Sequence, residues 1–274
     1  MDFVFDSHAH YFDKRFETEY EGGAEQLLAE LCPHRVMRII NVGTDPRSSR
    51  LAVEQAKKYE GMYAAVGIHP GDCHFLEDAD AALAEIEEMI LDRELRKQNK
   101  IVAIGEIGLD YHFPSYGEIP MDRAREAYFF NAQMELAQKY DLPVIIHDRE
   151  AHGDCFETVL RYPAVRGVFH SYSGSAELAR ELVKRGWYIS FSGTLTFKNA
   201  AQVRRAALAV PKDRLLIETD CPYLAPHPMR GKLNHSGLLS YTLSALAELW
   251  ECSVQEAAKQ TFENAEHLFL SDFG

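Results

Sequence analysis

The 274-residue chain contains no CxxC pair, and its five cysteines are scattered at positions 32, 73, 155, 221 and 252. An odd, dispersed set excludes a disulfide framework and leaves reduced thiols as the expectation. No apolar run approaches the roughly 18–20 residues of a membrane span. Met1–His10 lacks the basic start and apolar stretch of a secretory signal. A cytoplasmic protein with no membrane contact is therefore expected. Basic residues are scarce as well: 29 Lys and Arg stand against 42 Asp and Glu, a net charge of −13. That argues against electrostatic wrapping of nucleic acid. It leaves room for an enzyme that meets phosphate through bound cations. Two divalent ions would bring −13 to −9 and concentrate +4 at one point. Pro, Gly and Ser never cluster into a linker and no repeat stands out, so residues 1–274 read as one domain with no evident stable protein partner.

What is present is a recurring unit: a short β-rich run, a polar turn, then a helical pattern. The runs are Phe3–Asp6, Val36–Val42, Met62–Gly67, Ile101–Gly105, Pro143–His147, Gly167–His170, Trp187–Phe191 and Leu215–Glu218. Near-continuous apolar runs suit strands buried on both faces, as in a parallel sheet. Helical spacing follows at Ala24–Leu31, Arg47–Tyr59, Ala79–Arg96, Asp122–Tyr140, Cys155–Leu160, Ala176–Arg185 and Ala200–Val210, with Ser240–Trp250 and Ser253–Phe269 closing the chain. Eight βα units in 274 residues average about 34 residues each. A doubly wound sheet is compatible with that order, but eight strands favour an α/β fold of the (β/α)8 TIM-barrel type.

In such a barrel all C-terminal strand ends meet at one face, where active sites are built. The first strand ends in Asp6-Ser7-His8-Ala9-His10, and His8 and His10, two apart on an extended chain, point to one side. The fourth delivers Glu106, the fifth His147, the sixth His170 and the eighth Asp220. Taken singly, each has an ordinary reading as a core or turn residue. Together they would form an uncompensated polar cluster without a cation. With cations they divide: His8, His10 and Asp220 around one, His147 and His170 around a second, and Glu106 bridging both.

The segments Asp6–His10, Gly67–Pro70, Gly105–His112, Ile146–Ala151, Val168–Ser175, Glu218–Pro226 and Arg230–Lys232 resemble, in order and over the whole chain, the TatD family of metal-dependent deoxyribonucleases, which are amidohydrolase-like (β/α)8 barrels. The resemblance implies that His8, His10, Glu106 and Asp220 bind one metal and Glu106, His147 and His170 the other. It also implies hydrolysis of DNA phosphodiester bonds, often from an end. After Arg230-Gly231-Lys232 the chain departs from the family's usual Arg-Asn-Glu-Pro: it reads Leu233-Asn234-His235-Ser236, which puts substrate contacts of that loop in question.

The chemistry expected is attack on phosphorus by a water that two cations have acidified, with Asp220 as general base and Glu106 as the shared ligand. His69, Arg149, Arg230 and Lys232 are candidate substrate contacts, and Tyr111, His112, Tyr172 and Tyr223 candidate stacking or rim residues. The partner expected is DNA, as single strands or 3′ ends. Mg2+, Mn2+ or Zn2+ are the expected ions, nitrogen-rich ligation suiting Zn2+ and turnover in the family suiting Mg2+ or Mn2+. Two alternatives stand beside this: an amidase, lactonase or phosphotriesterase on the same barrel, or a non-catalytic metal-binding scaffold. Relatives with the former activities commonly bridge their metals with a carboxylated lysine from the fourth strand, where this chain has Glu106 and no lysine between Lys100 and Lys139.

Overall fold

A computed structural model describes residues 4–31 and 36–271. Phe3, expected to open the first strand, and Cys32 lie outside the described residues. Strand β1 (Val4–Ala9) is followed by helices α1 (Lys14–Glu19) and α2 (Gly23–Leu31). Then come β2 (Val36–Val42), α3 (Pro46–Lys58), β3 (Met62–Val66), the single turn α4 (Pro70–Cys73), α5 (Ala79–Ile90) and α6 (Arg93–Gln98). Strand β4 (Ile101–Asp110) leads into a two-stranded hairpin, β5 (Ser115–Tyr116) and β6 (Ile119–Pro120), and then into α7 (Arg123–Tyr140). The remaining units are β7 (Val144–Arg149) with α8 (His152–Leu160), β8 (Gly167–Phe169) with α9 (Ala176–Val183) and β9 (Tyr188–Phe191) with α10 (Ala201–Ala209). The last strand, β10 (Leu215–Ile217), precedes α11 (Leu239–Leu249) and α12 (Val254–Phe269).

Apart from the hairpin, the strands form one parallel sheet in the order β1-β2-β3-β4-β7-β8-β9-β10. Its ends meet. The Ser7 hydroxyl donates to the Ile217 carbonyl at 3.0 Å, and Ala9 bridges Cys221 in parallel register. The expected (β/α)8 barrel is therefore the fold. Its interior is filled by Phe5, Ile40, Val42, Ala65, Val102, Ala103, Ile145, Val168 and Leu216, and the α12 residues Leu268 and Phe269 pack against this cluster. The second, larger apolar layer lies between strands and helices.

Three local expectations change. The pattern over Ala79–Arg96 predicts one helix, but Asp92 accepts from the Leu95 N–H at 2.7 Å and so caps a new helix, splitting the segment into α5 and α6. Residues 113–120, which fall in none of the β-rich runs or helical patterns of the sequence, contain the β5–β6 hairpin. Strand β4 continues five residues past Gly105, so Glu106 sits inside a strand rather than after one.

Candidate metal centre

The glycines around Glu106 are what bring it to its neighbours. Gly108 has φ +143°, and a Cβ there would lie 2.0 Å from the His147 carbonyl oxygen; one at Gly105 would lie 2.7 Å from Ile145 Cβ. Only glycine lets β4 press this closely on β7. As a result Glu106, 3% exposed, reaches donors from both sides of the barrel.

Its two oxygens face different partners. Oε2 lies 3.2 Å from His8 Nε2 and 3.6 Å from His10 Nε2. Oε1 lies 2.6 Å from His147 Nδ1 and 2.7 Å from His170 Nε2. Asp220 Oδ1 stands 3.4 Å from His10 Nε2 and 3.8 Å from His8 Nε2. The backbone holds it there: Asp220 donates its N–H to the His8 carbonyl at 2.9 Å. All six residues expected to hold metal thus converge. Within the set, His8, His10 and Glu106, and also His8, His170 and Asp220, have ligand atoms within 4.8 Å of one another.

The outward-facing ring nitrogens fix which inward ones carry lone pairs. His10 Nδ1 donates to the Val42 carbonyl at 2.7 Å, leaving Nε2 as the inward acceptor. His170 Nδ1 lies 3.2 Å from Glu218 Oε1, again leaving Nε2 inward. His147 is reversed: Nε2 lies 3.2 Å from Asp110 Oδ2, and Nδ1 faces Glu106. His8 Nδ1 has no hydrogen-bond partner among the described residues, while His8 Nε2 and His10 Nε2 stand 3.0 Å apart. Converging nitrogen lone pairs and two carboxylates, nearly closed to water, call for positive charge between them. Protons supply some of it without metal. Burial disfavours charge on His147, yet Asp110 and Glu106 on either side hold its pKa up to about 9. Burial likewise opposes ionisation of Glu106, but the charge of His170 outweighs it and, with the hydrogen bond from His147, holds the carboxyl well below its usual range. The donor set, nitrogen and oxygen at one focus, fits divalent cations.

His69 also lies close, its Nε2 3.6 Å from Glu106 Oε1. It forms a compact trio with Glu106 and His147, but its hydrogen bonding argues against ligation. Its Nδ1 accepts from the Gly71 N–H at 3.0 Å, so in the neutral ring the proton sits on Nε2. Burial lowers its pKa to about 3, which keeps the ring neutral. His69 therefore presents an N–H donor.

Above the donors opens a cavity of about 740 Å³, lined by His10, His69, Glu106, His147, His170 and Asp220 together with Arg149 and a rim that includes Phe12, Phe75, Phe113, Tyr116 and Tyr223. Arg149 stacks its guanidinium over Phe113 at 4.8 Å. Of the four residues read as stacking candidates, only Tyr223 lines the cavity. Tyr111 donates to Asp154, His112 meets Glu150 and the Tyr172 hydroxyl donates to the Ser175 carbonyl. Arg230 and Lys232 do not line the cavity either; Arg230 lies over Phe197 at 4.1 Å. The loop that departs from the family pattern faces inward. Ser236 Oγ donates to Asp6 Oδ2 at 2.6 Å, and Asn234 Nδ2 donates to the carbonyls of Thr219 and Tyr223. Its work is to brace the segment that carries Asp220.

The sequence reading missed the anchoring carboxylates Asp110 and Glu218, and the rim residues Phe12, Phe75 and Phe113. The spacing of Asp110 and Glu218 from Glu106 and Asp220 on the same segments was the available signal for the first two.

Comparison with known proteins agrees with this geometry. Residues 5–270 match the model of the family described as TatD related DNase. An uncharacterized metal-dependent hydrolase of Bacillus subtilis, YabD, is 41% identical over 97% of this chain and 98% of its own length. Another from Escherichia coli K12, YcfH, is 33% identical over 98% and 97%. The crystal structure of YjjV, a TatD homologue from E. coli K12, superposes with a TM-score of 0.86 at 29% identity, covering 97% of this chain and 98% of that one. Matched along almost its whole length, and with a donor set to suit the match, the chain belongs to the TatD-related DNase family and is a metal-dependent hydrolase.

Proposed function

We propose that the protein is a deoxyribonuclease that hydrolyses phosphodiester bonds at unpaired DNA ends, using two divalent cations. The observation that carries this reading is the division of Glu106, one oxygen toward His8 and His10 and the other toward His147 and His170. One carboxylate shared between two nitrogen-rich groups is the arrangement of a two-metal hydrolase. His8, His10, Asp220 and Glu106 would hold one ion, and Glu106, His147 and His170 the other. Bound there, the ions would acidify water and stabilise charge on the phosphate oxygens.

The chain's own residues do the rest. Asp220, at the cavity floor, accepts the proton of the attacking water. The Nε2–H of His69 and the guanidinium of Arg149 orient phosphate oxygens by donating hydrogen bonds to them. Among the described residues Arg149 is the only Arg or Lys lining the cavity, which suits a short, flexible strand rather than a duplex laid along a basic track. The exposed rings of Phe75, Phe113 and Tyr223 offer faces on which unpaired bases stack.

Metal-loaded protein assayed against labelled single- and double-stranded DNA, a lactone and a phosphotriester tests the substrate class. Cleavage of DNA from an unpaired end is expected; turnover of the lactone or triester with DNA intact would overturn the reading. Asp220→Asn tests the base. The amide keeps the size and one coordinating oxygen but cannot take a proton at neutral pH. A loss of about 10²–10⁴ in kcat is expected with metal occupancy retained. Near-normal kcat at full occupancy removes Asp220 from that role.

A further inference from the structure

The side of the cavity mouth built by the loops after β9 and β10 differs in charge from the rest of the chain. Residues 192–212 and 221–247, which contain those loops, hold six of the 29 Lys and Arg and none of the 42 Asp and Glu. The two strands are neighbours in the barrel, so the loops leaving them lie side by side. Thr194 from the first and Leu224 from the second line the cavity. Outside that lining follow Lys198, Arg230 and Lys232. All three are exposed, and none forms an ion pair among the described residues.

Local contacts gather these cations at one place. The His227 N–H donates to Thr196 Oγ1 at 2.8 Å, which fastens the second loop to the first. A Cβ at Gly193 would lie 2.3 Å from the Leu224 carbonyl oxygen, so only glycine allows the approach. Arg204 of α10 donates to the carbonyls of Leu195 and Phe197 at 3.2 and 3.3 Å and steadies the turn that carries the Phe197 ring. Arg230 lies over that ring at 4.1 Å, next to the segment that continues into Lys198. The Lys232 N–H donates to the Met229 carbonyl at 3.0 Å, a turn that keeps Lys232 beside Arg230. Gln202 Nε2 donates to the carbonyl of Ser173, itself a lining residue, so the start of α10 borders the mouth as well. Glu177, at the start of α9, is turned to Arg180 at 3.6 Å.

Elsewhere round the mouth the cations are offset. On the β1 side Lys14 and Arg15 stand among Asp13, Glu17 and Glu19, and on the hairpin side Arg123 and Arg149 stand among Glu118, Asp122 and Glu150. A polyanionic strand with one end at the metal centre is therefore drawn out over the side that carries cations alone. We propose that the uncut body of a single DNA strand leaves the cavity between Thr194 and Leu224, its phosphates meeting Lys198, Arg230 and Lys232. This rests on the deoxyribonuclease reading and adds to it the path of the strand. Three charges on one side serve a few phosphates of one strand, which fits a chain too acidic to wrap a duplex.

The test is kcat/KM of the metal-loaded protein for oligothymidylates of 3 and 12 nucleotides. Wild type should favour the longer strand. Lys198→Gln/Arg230→Gln/Lys232→Gln should cut that advantage by roughly 30-fold, about threefold for each exposed ion pair lost. The plot of log kcat/KM against log salt for the longer strand should become shallower by about 2, at about 0.7 per phosphate contact. Lys57→Gln/Lys184→Gln/Lys259→Gln changes the net charge equally on other faces and should leave the advantage intact. Should the triple variant fold poorly, Lys198→Gln decides the matter with a loss of about threefold that Lys198→Arg does not share. An undiminished advantage in the rim variants overturns the proposal, as does an equal loss in the variant of the other faces or a wild type indifferent to length. Wild type that cleaves neither oligonucleotide but turns over a lactone or a phosphotriester overturns the deoxyribonuclease reading and this path with it. Cleavage with the length advantage unaltered in the variants overturns the path alone, so the two failures are distinguishable.

Discussion

Asp110 Oδ2 stands 3.2 Å from His147 Nε2, on the side of the ring turned away from Glu106. Asp110 is in turn fixed from behind: its backbone N–H donates to Glu126 Oε2 at 2.9 Å, and Glu126 Oε1 lies 3.1 Å from His74 Nε2. The carboxylate holds the His147 proton on Nε2, so Nδ1 keeps its lone pair for the centre. Asp110→Asn should therefore weaken metal at the His147–His170 side by about 10- to 100-fold and spare the His8–His10 side. Metal content after dialysis against graded chelator checks this. Loss of both ions together, or of neither, would show that Asp110 does not act through His147.

Chelation should abolish hydrolysis without unfolding the barrel. The donors sit on strand ends, above an interior packed independently by Phe5, Ile40, Val102, Ile145 and Leu216. Protons can take part of the cations' place, since His170, despite burial, is held well above its ordinary pKa by Glu106 and Glu218. The metal-free protein should keep its far-UV circular dichroism and melt cooperatively. Its stability should fall only by what ligand linkage explains, about 4 kcal/mol for each ion at a thousand-fold excess over Kd. A metal-free chain with no cooperative melt would make the ions structural.

The six donors were legible because each closes an apolar run, and the barrel topology brings every such end to one place. The groups that orient them were not, because their roles depend on contacts between strands far apart in sequence. Asp110 matters through His147, 37 residues away, and Glu218 through His170, 48 away. The apolar rim was hidden for a related reason. Phe12 and Phe75 sit in loops whose directions no periodicity specifies, and Phe75, at 58% exposure, reads locally as a stray surface residue. Arg230 and Lys232 show the converse. Belonging to a segment that carries the family resemblance did not place them in the cavity. The split of α5 from α6 was written in Asp92, whose capping role competes with helix continuation and is invisible to apolar spacing alone.

Arg149→Ala should raise KM for DNA and leave metal content unchanged. The side chain lines the cavity and is steadied by stacking on Phe113. Removing a charge-assisted phosphate contact costs about 1.5–3 kcal/mol, or roughly 10- to 150-fold in kcat/KM. Arg149→Lys should recover only part of this, because an ammonium keeps the charge but loses the planar fork and the ring contact. Unchanged kinetics in both variants would leave Arg149 a rim residue without a role in binding.

Asp72 gives the pH prediction. It lines the cavity on the short helix α4. Burial, reinforced by the charges of Asp45 and Glu106, pushes its pKa up to about 6 in spite of a hydrogen bond from Thr44. In the unfolded chain it titrates near 3.8. Between these values the native state holds a proton that the unfolded state has released, so stability must fall as pH rises through that window. The penalty is complete above pH 6 and amounts to about 3 kcal/mol, because a tenfold change in proton affinity is worth about 1.4 kcal/mol. Asp72→Asn removes the titration while its amide oxygen still accepts from Thr44. In chelator-treated protein, where no cation offsets the charge of Glu106, variant and wild type should be equally stable near pH 4. The variant should then gain steadily and be the more stable by up to about 3 kcal/mol at pH 7–8. Urea melts at pH 4, 5, 6, 7 and 8 read the difference directly. A gap that does not change with pH would mean that Asp72 ionises as readily in the cavity as it does in water.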